Sequence, residues 1–223
     1  MTTKSIGERA LEVALKELWA GIKEEPPGSN TGPKIREYLD PCVRGDKHTD
    51  LRLTASNWCM AFSSWCQFQV LALDEIPAHG YRAGVVEAVA DARSGKFSGK
   101  WVPIQEVRKN VWKPSSGDLA IWDRSVPNRP DTAWWRHVNR VVKFADDEGF
   151  FTTVGGNEYD KVRLSSSHIT ASKLLGFIAY PKLEVSAPEP PPPSNELTER
   201  EKEELGKLVA LTIDGMLRDS IWG

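Results

Sequence analysis

The stretch WCMAFSSWCQFQV, residues 58–70, begins an apolar, helix-like segment that we predict to continue to about Leu73. Polar Ser56 and Asn57 come directly before it and are suited to cap the helix, which places Cys59 in its first turn. Free backbone N–H groups and the positive end of the helix dipole favour a thiolate over a thiol there. Cys59 is therefore a candidate nucleophile, and a buried cysteine on an apolar helix is the alternative interpretation.

The other two cysteines, Cys42 and Cys66, bring the total to three, an odd number without the regular spacing of a disulfide framework. We therefore expect free thiols and folding in a reducing compartment. Cys66 lies two helical turns after Cys59 on the same predicted face and deeper in the protein, so we predict a structural role for it.

The composition favours one main domain and gives no support for binding to nucleic acid or for insertion into a membrane. With 223 residues and 40% hydrophobic content, the chain can bury one substantial core. A net charge of −2 and a pI near 6.1 provide no basic surface for nucleic acid. The first residues lead directly into an amphipathic pattern, and no apolar run is long enough to cross a bilayer. We therefore expect no signal peptide and no membrane insertion.

Before the cysteine segment, the sequence predicts a helix, a shaped loop and a short second helix. Ser5 and Glu8 have the spacing of a capping box at the start of an amphipathic helix over residues 5–23. The loop EEPPGSNTGP, residues 24–33, is dense in turn-forming residues and leads into a helix that reaches Tyr38. The acidic pair Glu24-Glu25 and Asn30 in this loop are candidates to line a substrate cleft, unless the loop merely needs its Gly and Pro geometry.

After the cysteine segment, the pattern changes to strands. The turn PSSGD, residues 114–118, precedes the apolar run 119–122, and alternating residues follow over 135–144. Further strand candidates cover residues 150–154, 162–164 and 175–180. Helices first and strands second are typical of an α+β fold, with the N-terminal helices packed on one side of a bent antiparallel sheet.

His137 is the predicted base for Cys59 because it begins a strand that follows a Gly-Asp turn and a short strand, which presents its ring at a sheet edge. A third group should orient the imidazole, and we predict Asn157, with Glu158 in reserve. The oxyanion of an acyl intermediate would be bound by the Cys59 backbone N–H and one further donor, for which Asn57 is a candidate. No C-x-x-C or H-E-x-x-H spacing occurs, so we expect neither a metal nor another cofactor.

The C-terminal part is predicted to be a separate helix on a linker. The run APEPPPPS, residues 187–194, is a semi-rigid extended segment. We divide the chain into a main domain over residues 1–184, a Pro-rich linker over 185–196 and an amphipathic helix over 197–223. Its apolar stripe can dock on its own domain, on a second copy or on another protein.

Several short motifs occur in an order that resembles a known family. They are W-C-x-x-F at residues 58–62, PSSGDLAIW at 114–122, HVNRVV at 137–142 and VGGN at 154–157. Together they resemble the CHAP amidase and peptidase family, which is related to the NlpC-type peptidases in the papain-like superfamily. The stretch GIKEEPPGSNTGP, residues 21–33, is similar to the phage and prophage, endolysin-like branch of that group. The resemblance covers residues 19–180.

The resemblance implies a papain-like α+β fold and hydrolysis of a peptidoglycan amide bond through a thioester. The enzyme would be an endopeptidase or an N-acetylmuramoyl-L-alanine amidase. Cys59 matches the family's nucleophile, His137 its base and Asn157 the position of its polar orienting residue. Substrate contacts are expected from five residues in and around these motifs: Glu25, Asn30, Asn57, Trp58 and Glu158.

The chain departs from the family pattern at three places. Arg136 and Asn139 flank the His-Val pair where the family often has Gly, and Gly155 stands where many members have Glu. Some relatives bind calcium through acidic loops, whereas here only Asp46 and Asp50 are loosely spaced.

The resemblance also implies where such a protein acts. We expect synthesis in the bacterial cytoplasm and action at the cell wall or periplasm, after export through a holin, a secretion system or virion delivery. Peptidoglycan is the expected partner, with a protein partner or self-association through residues 197–223. Two alternatives are an interbacterial toxin amidase delivered by a secretion system and a non-catalytic structural module of a virion or secretion device.

Overall fold

The computed structural model describes residues 4–45, 57–128, 136–144, 148–181 and 197–221. The chain forms an α+β structure, as the order of helices and strands predicts. Its helices are α1 Ile6–Trp19, α2 Pro33–Gly45, α3 Cys59–Phe68, α4 Val85–Ser94, α5 Ile104–Arg108 and α6 Glu199–Ile221. Its strands are β1 Lys100–Pro103, β2 Leu119–Asp123, β3 Arg136–Phe144, β4 Phe150–Gly155, β5 Arg163–His168 and β6 Leu174–Ala179.

The six strands form one antiparallel sheet in the order β1-β6-β2-β3-β4-β5. Register shifts interrupt the β2–β6 pairing between Ile121 and Trp122 and the β3–β4 pairing between Val141 and Lys143. Irregularities of this kind bend a strand and increase its local twist. The helices α1 and α3 lie against β3 and β4 near the middle of the sheet.

The capping box at the start of α1 is confirmed. The hydroxyl of Ser5 accepts a hydrogen bond from the backbone N–H of Glu8, and the Glu8 carboxylate accepts one from the backbone N–H of Ser5. The helix ends at Trp19 rather than at residue 23, because the chain turns at Gly21 with φ of 66°, a left-handed conformation that glycine adopts readily.

The cysteine helix α3 is shorter than predicted and begins differently. It ends at Phe68 rather than near Leu73, and its N-cap residue is Trp58, whose side chain makes no capping hydrogen bond. The predicted cap by Asn57 is wrong, since the Asn57 side chain accepts a hydrogen bond from Asn157 instead. The other predicted cap, Ser56, lies outside the described residues.

Aromatic side chains fix the start of α3 against α2. The Tyr38 ring on α2 contacts Trp58, Phe62 and Trp65, with centroid distances of 5.8, 5.1 and 5.0 Å. Trp58 and Tyr38 are completely buried. Because close-packed interiors resist displacement, this cluster holds the first turn of α3 in one position.

A buried arginine ties α3 to the sheet. Arg140 on β3 is 1% exposed and donates hydrogen bonds to the backbone carbonyls of Gly117 and Ser63 and to the Tyr180 hydroxyl. Ser63 belongs to α3 and Tyr180 follows β6, so one guanidinium joins three separate segments of the core. This network sets the distance between α3 and β3.

The described part of α6 lies on the main core. A capping box joins Thr198 and Glu201 at its start. Leu197 and Val209 are buried in the same apolar cluster as α1 and α3, and Leu205 packs against that cluster. Leu208, in the same part of the stripe, is 40% exposed, so the chain itself covers this part of the stripe incompletely. The predicted linker lies outside the described residues.

Among the described residues, no helix is both long and apolar enough to cross a membrane.

Candidate active site

The site begins with Cys59 at the first position of α3 and His137 at the second position of β3. Their side chains lie close enough for each to shift the pKa of the other, and they are 4% and 2% exposed. The β4 pairing to β3 starts at Arg140, so the first residues of β3 are paired only with β2. The side of these residues that β4 leaves uncovered faces α3, and the backbone N–H of Val138 lies near enough to the Cys59 sulfur to lower its pKa.

The third member of the site is Glu158. Its Oε1 lies 2.7 Å from His137 Nε2 and accepts a second hydrogen bond from Asn139 Nδ2 at 2.7 Å. Its Oε2 lies 3.3 Å from Arg124 Nη2. Because Nε2 is bound to the carboxylate, Nδ1 is the ring nitrogen left to exchange a proton with the Cys59 thiol.

The predicted contact between Asn157 and His137 is wrong, and the reserve residue Glu158 takes that place. Asn157 has φ of 58°, which turns the chain sharply after β4. The Glu158 carboxylate therefore points to His137, while Asn157 Nδ2 donates to Asn30 Oδ1 at 3.0 Å and to Asn57 Oδ1 at 3.2 Å.

Two glycines allow the end of β4 to approach the site. A Cβ on Gly156 would lie 2.5 Å from the Trp58 ring, and a Cβ on Gly155 would lie 2.9 Å from Asn139 Nδ2. Any larger residue at either position would push the Glu158 loop away from α3 or from β3. The absence of a Cβ at Gly155 thus makes room for Asn139.

The charges of the site favour a thiolate–imidazolium pair. Burial by itself would raise the pKa of Cys59, but the facing His137, together with Arg124 and the Val138 N–H, lowers that pKa below its ordinary value. Burial opposes the charged form of His137, yet the Cys59 thiolate and the Glu158 carboxylate raise the pKa of His137 above its ordinary value.

Glu158 itself is held as a carboxylate. Burial would raise its pKa, whereas the hydrogen bonds from His137 and Asn139 and the charge of Arg124 lower the pKa of Glu158 to about 2. Glu158 is therefore ionised at neutral pH and can stabilise the imidazolium that forms on His137.

Of the predicted substrate contacts, Trp58 is buried, whereas Glu25, Asn30 and Asn57 are accessible. Trp58 is completely buried and donates from Nε1 to the Glu24 carboxylate at 2.8 Å, so its prediction as a substrate contact is wrong. Glu25 is exposed, and its hydrogen bonds are made by its backbone to Thr31. Asn30 and Asn57 are accessible and both contact Asn157.

Two residues of the site were not predicted: Arg124 and Asn139. Asn139 lies two residues after His137 on the same face of β3, so the strand period contained a signal for it. Arg124 directly follows β2, whose Trp122 pairs with His137. Glu24, predicted with Glu25 to line a substrate cleft, is instead 1% exposed and accepts hydrogen bonds from Trp58 Nε1 and from the backbone N–H of Asn30.

Iodoacetamide is expected to modify Cys59 roughly a hundredfold faster than Cys42 or Cys66 at pH 7. Cys42 and Cys66 are completely buried, and burial raises the pKa of the Cys66 thiol. The folded protein lowers the pKa of Cys59 below the ordinary thiol value of 9.0. The rate of Cys59 modification should therefore fall, as the pH is lowered, with a midpoint below 9.0. Peptide mass spectrometry over a pH series measures both quantities. Equal rates, or a midpoint at 9.0 or above, would contradict an activated thiolate.

No group of three or more His, Cys, Asp or Glu side chains able to hold a metal ion is present among the residues that the structure describes. Asp46 and Asp50 lie outside those residues. No protein-family model, curated protein or solved structure matches the chain.

Proposed function

We propose that this protein is a cysteine hydrolase whose catalytic residues are Cys59, His137 and Glu158. The observation that carries the proposal is a buried chain of contacts in which Glu158 binds one nitrogen of His137 while the ring faces the Cys59 thiol. A nucleophile, a base and an orienting carboxylate in hydrogen-bonding series are the arrangement needed for acyl transfer. A histidine and a cysteine packed for structural reasons alone need no buried carboxylate behind them.

The mechanism follows from this order. The Cys59 thiolate attacks the amide carbonyl, and the oxyanion that forms can accept a hydrogen bond from the Cys59 backbone N–H, one of the free first-turn donors of α3. His137 then gives its proton to the leaving amine, and a thioester remains. His137 next removes a proton from water, which attacks the thioester carbonyl, releases the carboxylate and restores the thiol.

We further propose that the fold is papain-like and that the substrate is peptidoglycan. The CHAP-like order of motifs supports this narrower proposal, because the helix-borne Cys59 faces the strand-borne His137 as that family requires. The amide bond cut would lie within the stem peptide or between muramic acid and L-alanine.

Digestion of purified cell walls tests the proposal. Full-length protein is incubated with walls of the diaminopimelate and lysine types, and the soluble products are analysed by mass spectrometry. New peptide termini are expected for an endopeptidase, and free lactyl groups with L-alanine amino termini for an amidase. Unchanged walls of both types, from protein whose Cys59 reacts with iodoacetamide, would overturn the peptidoglycan proposal.

A further inference from the structure

We propose that Asn30, Asn57 and Asn157, called the amide cluster below, form a subsite that binds a secondary amide group of the substrate next to the reacting thiol. The inference rests on the proposed function to the extent that a substrate must reach Cys59. It assigns Asn157 a direct role in substrate binding, in place of the predicted contact with His137.

The orientation of the three side chains follows from their hydrogen bonds. Asn157 Nδ2 donates to Asn30 Oδ1 at 3.0 Å and to Asn57 Oδ1 at 3.2 Å, which uses both of its hydrogens. The Nδ2 groups of Asn30 and Asn57 and the Oδ1 of Asn157 have no hydrogen-bond partner in the part of the chain that the structure describes. Asn57 is exposed and the other two are half-buried, so these groups can meet a ligand.

The free groups of the amide cluster match a secondary amide. Two NH2 donors correspond to the two lone pairs of an amide carbonyl, and one carbonyl acceptor corresponds to its single N–H. The cluster is uncharged, so it offers no ion pair to a carboxylate or an ammonium group. A ligand that leaves a buried hydrogen-bonding group of the site without a partner binds more weakly. The match between donors and acceptors is therefore a source of specificity.

The amide cluster is held by the same residues that build the catalytic site. Asn57 lies two residues before Cys59, and Asn157 directly precedes Glu158. The backbone N–H of Asn30 donates to Glu24 Oε2 at 2.8 Å, and Glu24 Oε1 accepts from Trp58 at 2.8 Å. A group bound by the cluster is therefore positioned relative to the start of α3.

The cluster is also organised before a ligand arrives. Asn30 and Asn157 have φ of 53° and 58°, a conformation that asparagine tolerates better than most residues. The two loops that carry Asn30 and Asn157 are joined by backbone hydrogen bonds. Glu24 N donates to Asp160 O at 2.8 Å, and Val162 N donates to Ile22 O at 2.9 Å. Little conformational entropy remains to be lost on binding.

Two parts of peptidoglycan contain a secondary amide: the peptide groups of the stem and the acetamido groups of the sugars. Both present the same hydrogen-bonding groups, so the chemistry of the subsite is shared and the test must distinguish the sources.

Asn157→Gly is the most direct test, because glycine accepts the left-handed backbone while the side chain is lost. Asp160→Gly is the matched control, since Asp160 lies in the same loop with φ of 64° and contributes its backbone carbonyl. Each full-length variant is alkylated at Cys59 with N-acetyl-L-alanine chloromethyl ketone, which carries a secondary amide, and with chloroacetone, which lacks one. The ratio of the two rate constants reports the subsite without requiring hydrolysis.

We expect Asn157→Gly to lower this ratio by about tenfold, the effect of losing one or two hydrogen bonds, and Asp160→Gly to leave it unchanged. Asn57→Ala, at an exposed position, is expected to act like Asn157→Gly and provides a second variant if the first folds poorly. An unchanged ratio in correctly folded Asn157→Gly or Asn57→Ala protein would overturn the subsite.

Hydrolysis of soluble fragments identifies the source of the amide. If the bound group is a peptide amide, Asn157→Gly should lower kcat/KM about equally on a disaccharide-bearing muropeptide and on the same stem peptide without sugar. A loss confined to the sugar-bearing fragment assigns the acetamido group, and no loss on either overturns the subsite. If Asn157→Gly lowers the ratio of alkylation rates as expected but the unaltered protein cleaves neither fragment, only the peptidoglycan proposal is overturned.

Discussion

Cys59→Ala protein should have no measurable hydrolytic activity on cell walls, a loss on the order of 10⁵-fold or more. The other two thiols, Cys42 and Cys66, are completely buried elsewhere in the core and cannot replace Cys59 as the nucleophile. The expected result is a folded protein that binds its substrate and fails to cut it. Release of soluble muropeptides measures activity, and circular dichroism measures folding.

Cys66→Ala is the matched control for this prediction, since it removes a second thiol from the same helix. It should keep its activity and lose only about 1 kcal/mol of stability, as is typical of a small change in a core. Retention of wall hydrolysis by Cys59→Ala, or loss of it in folded Cys66→Ala, would show that Cys59 is not the nucleophile.

Glu158→Gln should lower kcat/KM by about 10²- to 10⁴-fold without loss of the fold. The neutral amide can still occupy the space beside His137, but it cannot stabilise an imidazolium. With the negative charge gone, the pKa of His137 should fall and the thiolate–imidazolium pair should become less populated. The pair is populated between an acid limit and an alkaline limit that belong to the two groups together. Loss of the carboxylate that favours the imidazolium should lower the alkaline limit, so the pH range of the pair narrows from that side.

The pH dependence of kcat/KM and of Cys59 alkylation measures this change. Asn157→Gly is the comparison, because Asn157 does not contact His137 and its loss should leave both pH limits in place. A shifted alkaline limit in Asn157→Gly together with an unchanged one in Glu158→Gln would restore Asn157 as the orienting residue.

The same substitution changes acid stability in a defined direction. The pKa of Glu158 falls from its ordinary 4.5 to about 2 on folding, so this group stabilises the native state fully above pH 4.5. Its contribution is lost as the pH falls toward 2. When the pH is lowered from 4.5 toward 2, the thermal stability of Glu158→Gln protein should therefore fall less than that of the unaltered protein.

The third member of the site shows why the sequence alone misplaced one residue. Asn157 and Glu158 are neighbours, and a regular strand would send them to opposite faces without indicating which one meets His137. The left-handed turn at Asn157 and the close approach of Gly156 to Trp58 decide the matter. Both depend on a helix that lies about a hundred residues earlier in the chain, so no local pattern could predict them.

Structural features that depend on local periodicity and capping were predicted well. The sequence by itself determined the α+β order of helices and strands, the capping box of α1, Cys59 at the start of its helix and His137 at the start of its strand, because hydrophobic period and capping act over a few residues. Only the tertiary structure decided that Glu158 faces His137 and that Arg124 and Asn139 hold its carboxylate. It also decided that Trp58 is buried on Glu24 and that three asparagines from separate segments meet near the start of α3. Hydrogen bonds and charge pairs between distant segments depend on how the helices pack on the sheet, and that packing is a property of the whole folded chain.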